Sequence, residues 1–216
     1  MFEQFTPRTA NTAFFASDNA RTALILLFLA YVLSITDRMI LSVLFEPIRL
    51  EFDVSDSQLG LLGGFSFAIF YATLGIPIAR AADRGNRRLI VVISLALFSI
   101  MTLLCGLAAS FVMLLAMRMG VGVGEAGVNP ASHSIIADYF SKDRRAFAMS
   151  ILALGANVGM IIGLVVGGLV SQHYGWRAAL FVVAVPGLFL AVVMYYRLQE
   201  PERKSGVELP GSDSAQ

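Results

Sequence analysis

The sequence predicts an all-α membrane protein, a bundle of six transmembrane helices. Apolar residues make up 57% of the 216-residue chain and charged residues only 14%, and the mean hydropathy is +0.74. Soluble domains average about 45–50% apolar and about 25% charged residues, because a small globule needs polar side chains to cover its surface. The apolar residues also fall into six separate runs, each close to or above the roughly 20 residues that a bilayer requires.

The six candidate spans follow one another through short connections and fill residues 21–200. Residues 1–20 form a polar N-terminal tail without the compact apolar core of a cleaved secretory signal, so we expect the first span to be retained. Residues 201–216 are rich in polar residues, Gly and Pro, which predicts a flexible linker or tail. The predicted spans are Thr22–Phe45, Gln58–Ala79, Leu89–Ala109, Val112–Phe140, Ala146–Gln172 and Ala178–Tyr196.

The positions of the basic residues predict the orientation of the bundle. Twelve Lys and Arg residues lie before span 1, between spans 2 and 3, between spans 4 and 5, and after span 6. The opposite loops hold only Arg49 and Arg177. Because cytoplasmic loops carry the excess of basic residues, we expect both tails to be cytoplasmic. The chain is therefore predicted to be a multi-pass protein of the plasma (inner) membrane.

Four charged residues, Asp37, Arg38, Arg118 and Glu125, fall inside the predicted spans. A charge at the membrane centre costs at least about 2.5 kcal/mol, so such side chains face a bundle interior or an aqueous cavity. At a rise of about 1.5 Å per residue, Asp37 and Arg118 lie at similar depths and are predicted to be partners. Glu125 follows Arg118 by two helical turns, on the same face and about 10 Å deeper.

Two interpretations of these charges stay open. In the first, they form a static ion pair that helps to assemble the bundle. In the second, they bind substrate or a coupling proton, because a carboxylate that meets an arginine in one conformation and loses it in another can release and reload a proton.

A stripe of glycines marks span 5. Gly155, Gly159, Gly163 and Gly167 recur at four-residue intervals and are followed by Gly168. Residues four apart share one face of a helix, so this stripe predicts a helix-packing surface at which a neighbouring backbone can approach closely.

Other classes of function lack support in the sequence. Cys105 is the single cysteine, and no cluster of Cys and His has the spacing of metal ligands, so no metal or cofactor is predicted. No nucleophile lies at a workable spacing from a base, so we predict no enzyme. The net charge of +1 argues against a nucleic-acid partner.

The loop after span 2 resembles a signature of the major facilitator superfamily, G-x-x-x-D-R-x-G-R-R. Ala79 and Asn86 stand in for its two glycines, while the charged positions match. In span 5, Gly159 to Gly168 is similar to the antiporter motif of the same superfamily, although Leu164 replaces its usual proline. By this resemblance, the charged residues of the loop belong to a cytoplasmic gate; they are Asp83, Arg84, Arg87 and Arg88.

Further motifs resemble the spinster-like subgroup of that superfamily. They are Asp37-Arg38 in span 1, Asn86 in the loop after span 2, and the run from Gly124-Glu125-Ala126 through Pro130 to Phe140. This resemblance implies an amphipathic, lipid-like substrate. Anion–cation symporters of the superfamily share some of these residues, so the symport of small organic anions is the alternative.

The resemblance implies half of a twelve-helix transporter, namely its N-terminal half, built from 3+3 inverted repeats. Such a protein works by alternating access, and its expected partners are membrane lipid, a small-molecule or lipid-like substrate, and a coupling proton. It also needs a second six-helix half, from the same chain or from another subunit. The rival hypothesis is a non-transporting six-helix protein with a structural or regulatory role in the membrane.

Overall fold

The computed structural model describes residues 18–201, apart from the side chains of Ser66, Phe67, Ala79 and Asp83. Most of the predicted N-terminal tail and nearly all of the predicted C-terminal tail lie outside this range. The described range is helical apart from short connections. Its helices are α1 (Asp18–Phe52), α2 (Asp56–Gly60), a π-helical turn (Leu61–Phe65), α3 (Ser66–Arg84), α4 (Arg87–Gly106), α5 (Phe111–Glu125), α6 (Val128–Tyr139), α7 (Lys142–Tyr174) and α8 (Trp176–Arg197).

The six predicted spans are confirmed within the described range. Six helical segments are long and apolar enough to cross a membrane, and most extend beyond their predicted ends. The first continues from Phe45 to Phe52, and its added turns carry an exposed pair of Glu46 with Arg49 at 2.8 Å. The six spans are Asp18–Phe52, Asp56–Ala82, Arg87–Gly106, Phe111–Tyr139, Lys142–Tyr174 and Trp176–Arg197.

Two of the spans are interrupted, although their continuous apolar runs predicted unbroken helices. Span 2 contains the π-helical turn, where Gly63 leaves room for the ring of Phe45. Span 4 breaks between Glu125, the last residue of α5, and Val128, the first of α6. The regular α-helical hydrogen-bonding pattern is thus interrupted at one point in each of these two spans.

The connections define two ends of the bundle. The Asp18 end holds the start of span 1 together with the 2–3 and 4–5 connections and the end of span 6. The Phe52 end holds the 1–2, 3–4 and 5–6 connections. Spans 2 and 5 are the least buried in the bundle: only 12% and 22% of their most apolar stretches are buried, against 44–56% for the others. Their outer faces are therefore open to lipid or to another protein.

The glycine stripe of α7 packs against α1. A Cβ atom at Gly159 would lie 2.5 Å from the carbonyl oxygen of Val32, and one at Gly163 would lie 2.9 Å from that of Thr36. Thr36 also donates a hydrogen bond from Oγ1 to the carbonyl oxygen of Gly159 at 3.1 Å. Gly168 differs from the rest of the predicted stripe, because no atom lies within 4 Å of its Cβ position. Close backbone approach therefore joins spans 1 and 5.

We expect Gly159→Leu to lower the free energy of unfolding by about 1–3 kcal/mol or more, the range typical of overpacking, because the new side chain would meet the backbone of α1. Gly168→Leu is the matched control, and its open surroundings predict little change. The free energy of unfolding, measured by titrating denaturing detergent into mixed micelles, compares the two. Equal stability of both variants would contradict this packing.

Candidate functional site

The four charged residues predicted inside the spans lie in two adjacent ion pairs at the middle of the bundle. Asp37 and Glu125 are fully buried, and Arg118 is 4% exposed. Of the four side chains, only that of Arg38 reaches the surface, with 25% exposure. The structure therefore gathers all four residues, although their predicted roles in binding substrate or a proton stay predictions.

The first pair joins Asp37 of α1 to Arg118 of α5, which confirms the partnership predicted from depth. Thr102 of α4 donates a hydrogen bond from Oγ1 to the second carboxylate oxygen of Asp37. Three spans thus converge on one buried carboxylate. A buried charge is tolerated when it is paired and hydrogen-bonded, and both conditions are met here.

The second pair joins Arg38 to Glu125, with Nε 2.5 Å from Oε2. Ser34 lies one helical turn before Arg38 and donates from Oγ to the same carboxylate oxygen at 3.1 Å. The other oxygen of Glu125, Oε1, is buried and has no hydrogen-bond partner among the described residues. Glu125 is therefore a carboxylate with one oxygen engaged and one available to a proton.

Span 2 reaches this pair through Tyr71. The guanidinium carbon of Arg38 lies 5.0 Å from the centroid of the Tyr71 ring, within the range of a cation–π contact. Asn129, in the first turn of α6, donates from Nδ2 to the Tyr71 hydroxyl at 3.1 Å. Neither residue was predicted, because a lone neutral polar side chain in an apolar span gives no signal above background.

A groove leads away from Arg38 between spans 1 and 2. Its volume is about 400 Å³, and its wall combines one cation with apolar side chains and exposed glycine backbone. The arrangement resembles small-molecule sites, which are mainly apolar with a few polar groups that orient the ligand. The lining residues are Arg38, Met39, Leu41, Ser42, Phe45, Gly60, Gly63 and Gly64.

The predicted gate residues take different positions at the Asp18 end. Arg87 is only 3% exposed and pairs with Asp138 of α6 and, at 2.7 Å, with Glu200. The backbone N–H of Arg88 donates to the other oxygen of Glu200 at 2.7 Å. Arg84 is exposed, and the side chain of Asp83 lies outside the described residues. Arg87 and Arg88 thus tie the ends of spans 3, 4 and 6 together, and the gating role of all four stays a prediction.

The Phe52 end repeats this arrangement. Arg177, at the start of span 6, pairs with Glu51 near the end of span 1 at 2.6 Å and donates to the carbonyl oxygen of Ala108, just beyond span 3, at 2.8 Å. Arg87, at the start of span 3, contacts Asp138 near the end of span 4 and the Pro201 carbonyl beyond span 6. Equivalent contacts at opposite ends are those of a 3+3 inverted repeat, as predicted.

Arg87→Gln is expected to cost about 1.5–3 kcal/mol of stability, because Asp138 and Glu200 would lose hydrogen bonds to a charged partner but keep partial access to water. Arg84→Gln is the control, since Arg84 is the last residue of α3 and is exposed. Thermal unfolding in detergent would compare them. A melting temperature of Arg87→Gln equal to that of the control would contradict the structural importance of these pairs.

Metal binding finds no geometric support in the part of the chain that the structure describes. No group of three or more His, Cys, Asp or Glu side chains between residues 18 and 201 is placed to hold a metal ion. Cys105 is buried near the Asp37–Arg118 pair.

Six apolar spans around buried, paired charges define a polytopic membrane protein with a polar core. The family model of the Major Facilitator Superfamily matches residues 27–213. The chain belongs to this superfamily of membrane transporters, which confirms the resemblance found in the loop and span motifs.

Solved structures and curated proteins place the chain more closely. A bacterial homologue of the human lysosomal transporter Spinster, crystallised in an inward-facing and unoccupied conformation, matches with a TM-score of 0.84 and 36% identity, over 92% of this chain and 47% of that one. An MFS-type efflux pump of Mycolicibacterium smegmatis is 38% identical over 74% of this chain and 37% of the pump. A cis,cis-muconate transport protein of Acinetobacter baylyi is 33% identical over 84% of this chain and 43% of that protein. The chain therefore spans less than half the length of these relatives.

Proposed function

We propose that this chain is the N-terminal half of a proton-coupled secondary transporter that works by alternating access. The observation that carries the proposal is the Arg38–Glu125 pair, which is buried on its acidic side and open to a groove on its basic side. Intramembrane charges that face a cavity mark substrate or proton sites. The adjacent Asp37–Arg118 pair is fully enclosed, so it holds the spans together around the site.

The geometry suggests how proton binding and substrate binding are linked. A proton on Glu125 removes the charge that holds Arg38, and the guanidinium can then bind an anionic group in the groove. Loss of the proton restores the pair and displaces the anion. The proton and the substrate each change the balance between the paired and the unpaired arrangement of Arg38 and Glu125. Their binding is therefore coupled.

The substrate class follows from the groove. One cation beside Met39, Leu41 and Phe45 suits a molecule with an anionic group and an apolar body. An amphipathic, lipid-like anion fits this description and is the substrate class that the spinster-like sequence motifs imply. A small organic anion is the second candidate, and it is supported by the relative whose printed name is a cis,cis-muconate transport protein.

The open faces of spans 2 and 5 are proposed to meet a second six-helix half, and the remaining surface to meet lipid. In the proposed orientation both tails lie on the cytoplasmic side of the plasma (inner) membrane. An antibody against the N-terminal segment would show the mass of the native polypeptide. A band near twice 23.3 kDa assigns the second half to the same chain, and a band at 23.3 kDa assigns it to another subunit.

Transport by the native protein in proteoliposomes tests the proposal. The probes are radiolabelled cis,cis-muconate for the small anions and a radiolabelled single-chain alkyl phosphate for the lipid-like anions. We expect one of them to accumulate when a pH gradient is imposed and to stop when an ionophore removes the gradient. If the protein bound neither probe and accumulated neither, the proposed substrate chemistry would be contradicted. Absence of transport with every anion and cation tried would favour a structural or regulatory protein.

A further inference from the structure

The Arg38–Glu125 pair has a third participant that the proposed mechanism does not use. The ring of Tyr71, on span 2, lies under the guanidinium of Arg38, with 5.0 Å between the guanidinium carbon and the ring centroid. A cation over an aromatic face is stabilised, and more strongly where water is excluded. Arg38 is 75% shielded at the side chain, so the contact lies in a mostly desolvated setting. Tyr71 therefore favours one position of the Arg38 cation.

Asn129 fixes the position of the Tyr71 ring. It donates a hydrogen bond to the Tyr71 hydroxyl at 3.1 Å. Asn129 lies in α6, four residues beyond Glu125 and on the other side of the break in span 4. Glu125 holds Arg38 directly from α5, while Asn129 holds it indirectly, through Tyr71, from α6. The two segments of span 4 thus act on the same guanidinium.

We propose that Tyr71, held by Asn129, is a positioning residue that keeps the Arg38 guanidinium against Glu125 and so sets the pH at which Glu125 takes up its proton. This inference rests on the proposed function, since it concerns the same proton site. Without the ring, Arg38 spends less time beside Glu125, and a carboxylate that loses its cation accepts a proton at higher pH.

Other charged and titratable groups surround Glu125 and stay in place in the variants proposed below. Arg38 and Asp37 lie on span 1, and Arg118 lies on span 4. The buried thiol of Cys105 lies on span 3, near Arg118.

Infrared difference spectra of the native protein in lipid, recorded over a series of pH values, measure this proton directly. The carbonyl stretch of protonated carboxyl groups reports Glu125, and the part that Glu125→Gln removes identifies it. We expect Tyr71→Leu to raise the midpoint pH of this signal by about 0.5–1 unit, equal to roughly three- to tenfold tighter proton binding. Tyr71→Phe keeps the ring but loses the hydrogen bond, so its shift is smaller. Asn129→Leu removes only the hydrogen bond that orients the ring, so its shift should also be smaller than that of Tyr71→Leu.

Tyr31→Phe is the control, since Tyr31 is partly buried in span 1 but packs near Gly155 of α7. Its midpoint should equal that of the native protein. If Tyr71→Leu fails to fold, Tyr71→Phe and Asn129→Leu carry the test, with correct folding shown by gel filtration. A native midpoint in the folded Tyr71 and Asn129 variants overturns the inference, while the proposed function stands. Titration of Glu125 with these shifts, but without proton movement during transport, would sustain the inference and refute the proposed coupling.

Discussion

Arg118→Gln is expected to destabilise the bundle by about 3–5 kcal/mol, the largest effect on stability among the variants considered. The change removes the cation beside Asp37, whose carboxylate is fully buried and would remain inside the bundle without its counter-charge. Breaking a buried pair from one side costs far more than the pair contributes, because the remaining charge has left water without compensation. Unfolding in mixed micelles of mild and denaturing detergent would measure the loss.

A second substitution separates charge from shape. Asp37→Asn combined with Arg118→Gln removes both charges and keeps polar side chains near Thr102, so it should recover most of the lost stability. Arg84→Gln, at an exposed position, provides the baseline for losing one positive charge. If Arg118→Gln proved as stable as this baseline, the Asp37–Arg118 pair would have no structural role.

Glu125→Gln is expected to abolish accumulation driven by a pH gradient while leaving exchange of labelled for unlabelled substrate intact. Glutamine keeps a side-chain oxygen for Ser34 but cannot take up or release a proton near neutral pH. Exchange needs only substrate binding and the switch between the two open sides of the transporter. Accumulation also needs a proton to move down its gradient with the substrate. Uptake of the transported probe into proteoliposomes, with and without the gradient, measures the two separately.

Glu46→Gln is the matched control, because Glu46 is an exposed carboxylate paired with Arg49 near the Phe52 end. It should leave both accumulation and exchange unchanged. Accumulation by Glu125→Gln at the native rate would remove Glu125 from the coupling role.

The number and order of spans could be predicted because apolar runs of about 20 residues have few alternatives to crossing a membrane. The ends of the spans could not be predicted, because helices continue past the apolar segment wherever polar side chains can pair, as Glu46 and Arg49 do in α1. The break after Glu125 also escaped prediction. Gly127 and Pro130 occur there, but glycine and proline are tolerated in transmembrane helices and do not by themselves locate an interruption.

The site was predictable where charge and depth were enough. Counting residues from the span ends placed Asp37 level with Arg118, and the structure pairs them. The same counting placed Glu125 about 10 Å deeper and gave it no partner. The long side chain of Arg38 covers that difference in depth, and its direction is set by tertiary packing, which the sequence does not encode locally.

The neutral members of the site were missed for a different reason. Ser34 and Thr102 each donate to a buried carboxylate, yet hydroxyls are common in transmembrane helices and most bond to their own backbone. Glu200 was also missed, because a carboxylate beyond the last span resembles a solvated terminus, while the structure places it against Arg87.

Proton flux during transport tests the central claim, that Glu125 and Arg38 couple a proton to substrate movement. The native protein would be reconstituted in vesicles that enclose a pH-sensitive dye, and a gradient of the transported probe would be imposed without any pH gradient. We predict that the internal pH changes as the probe moves, and that Glu125→Gln moves the probe with no change in pH. Movement of the probe through the native protein at constant internal pH would contradict the claim.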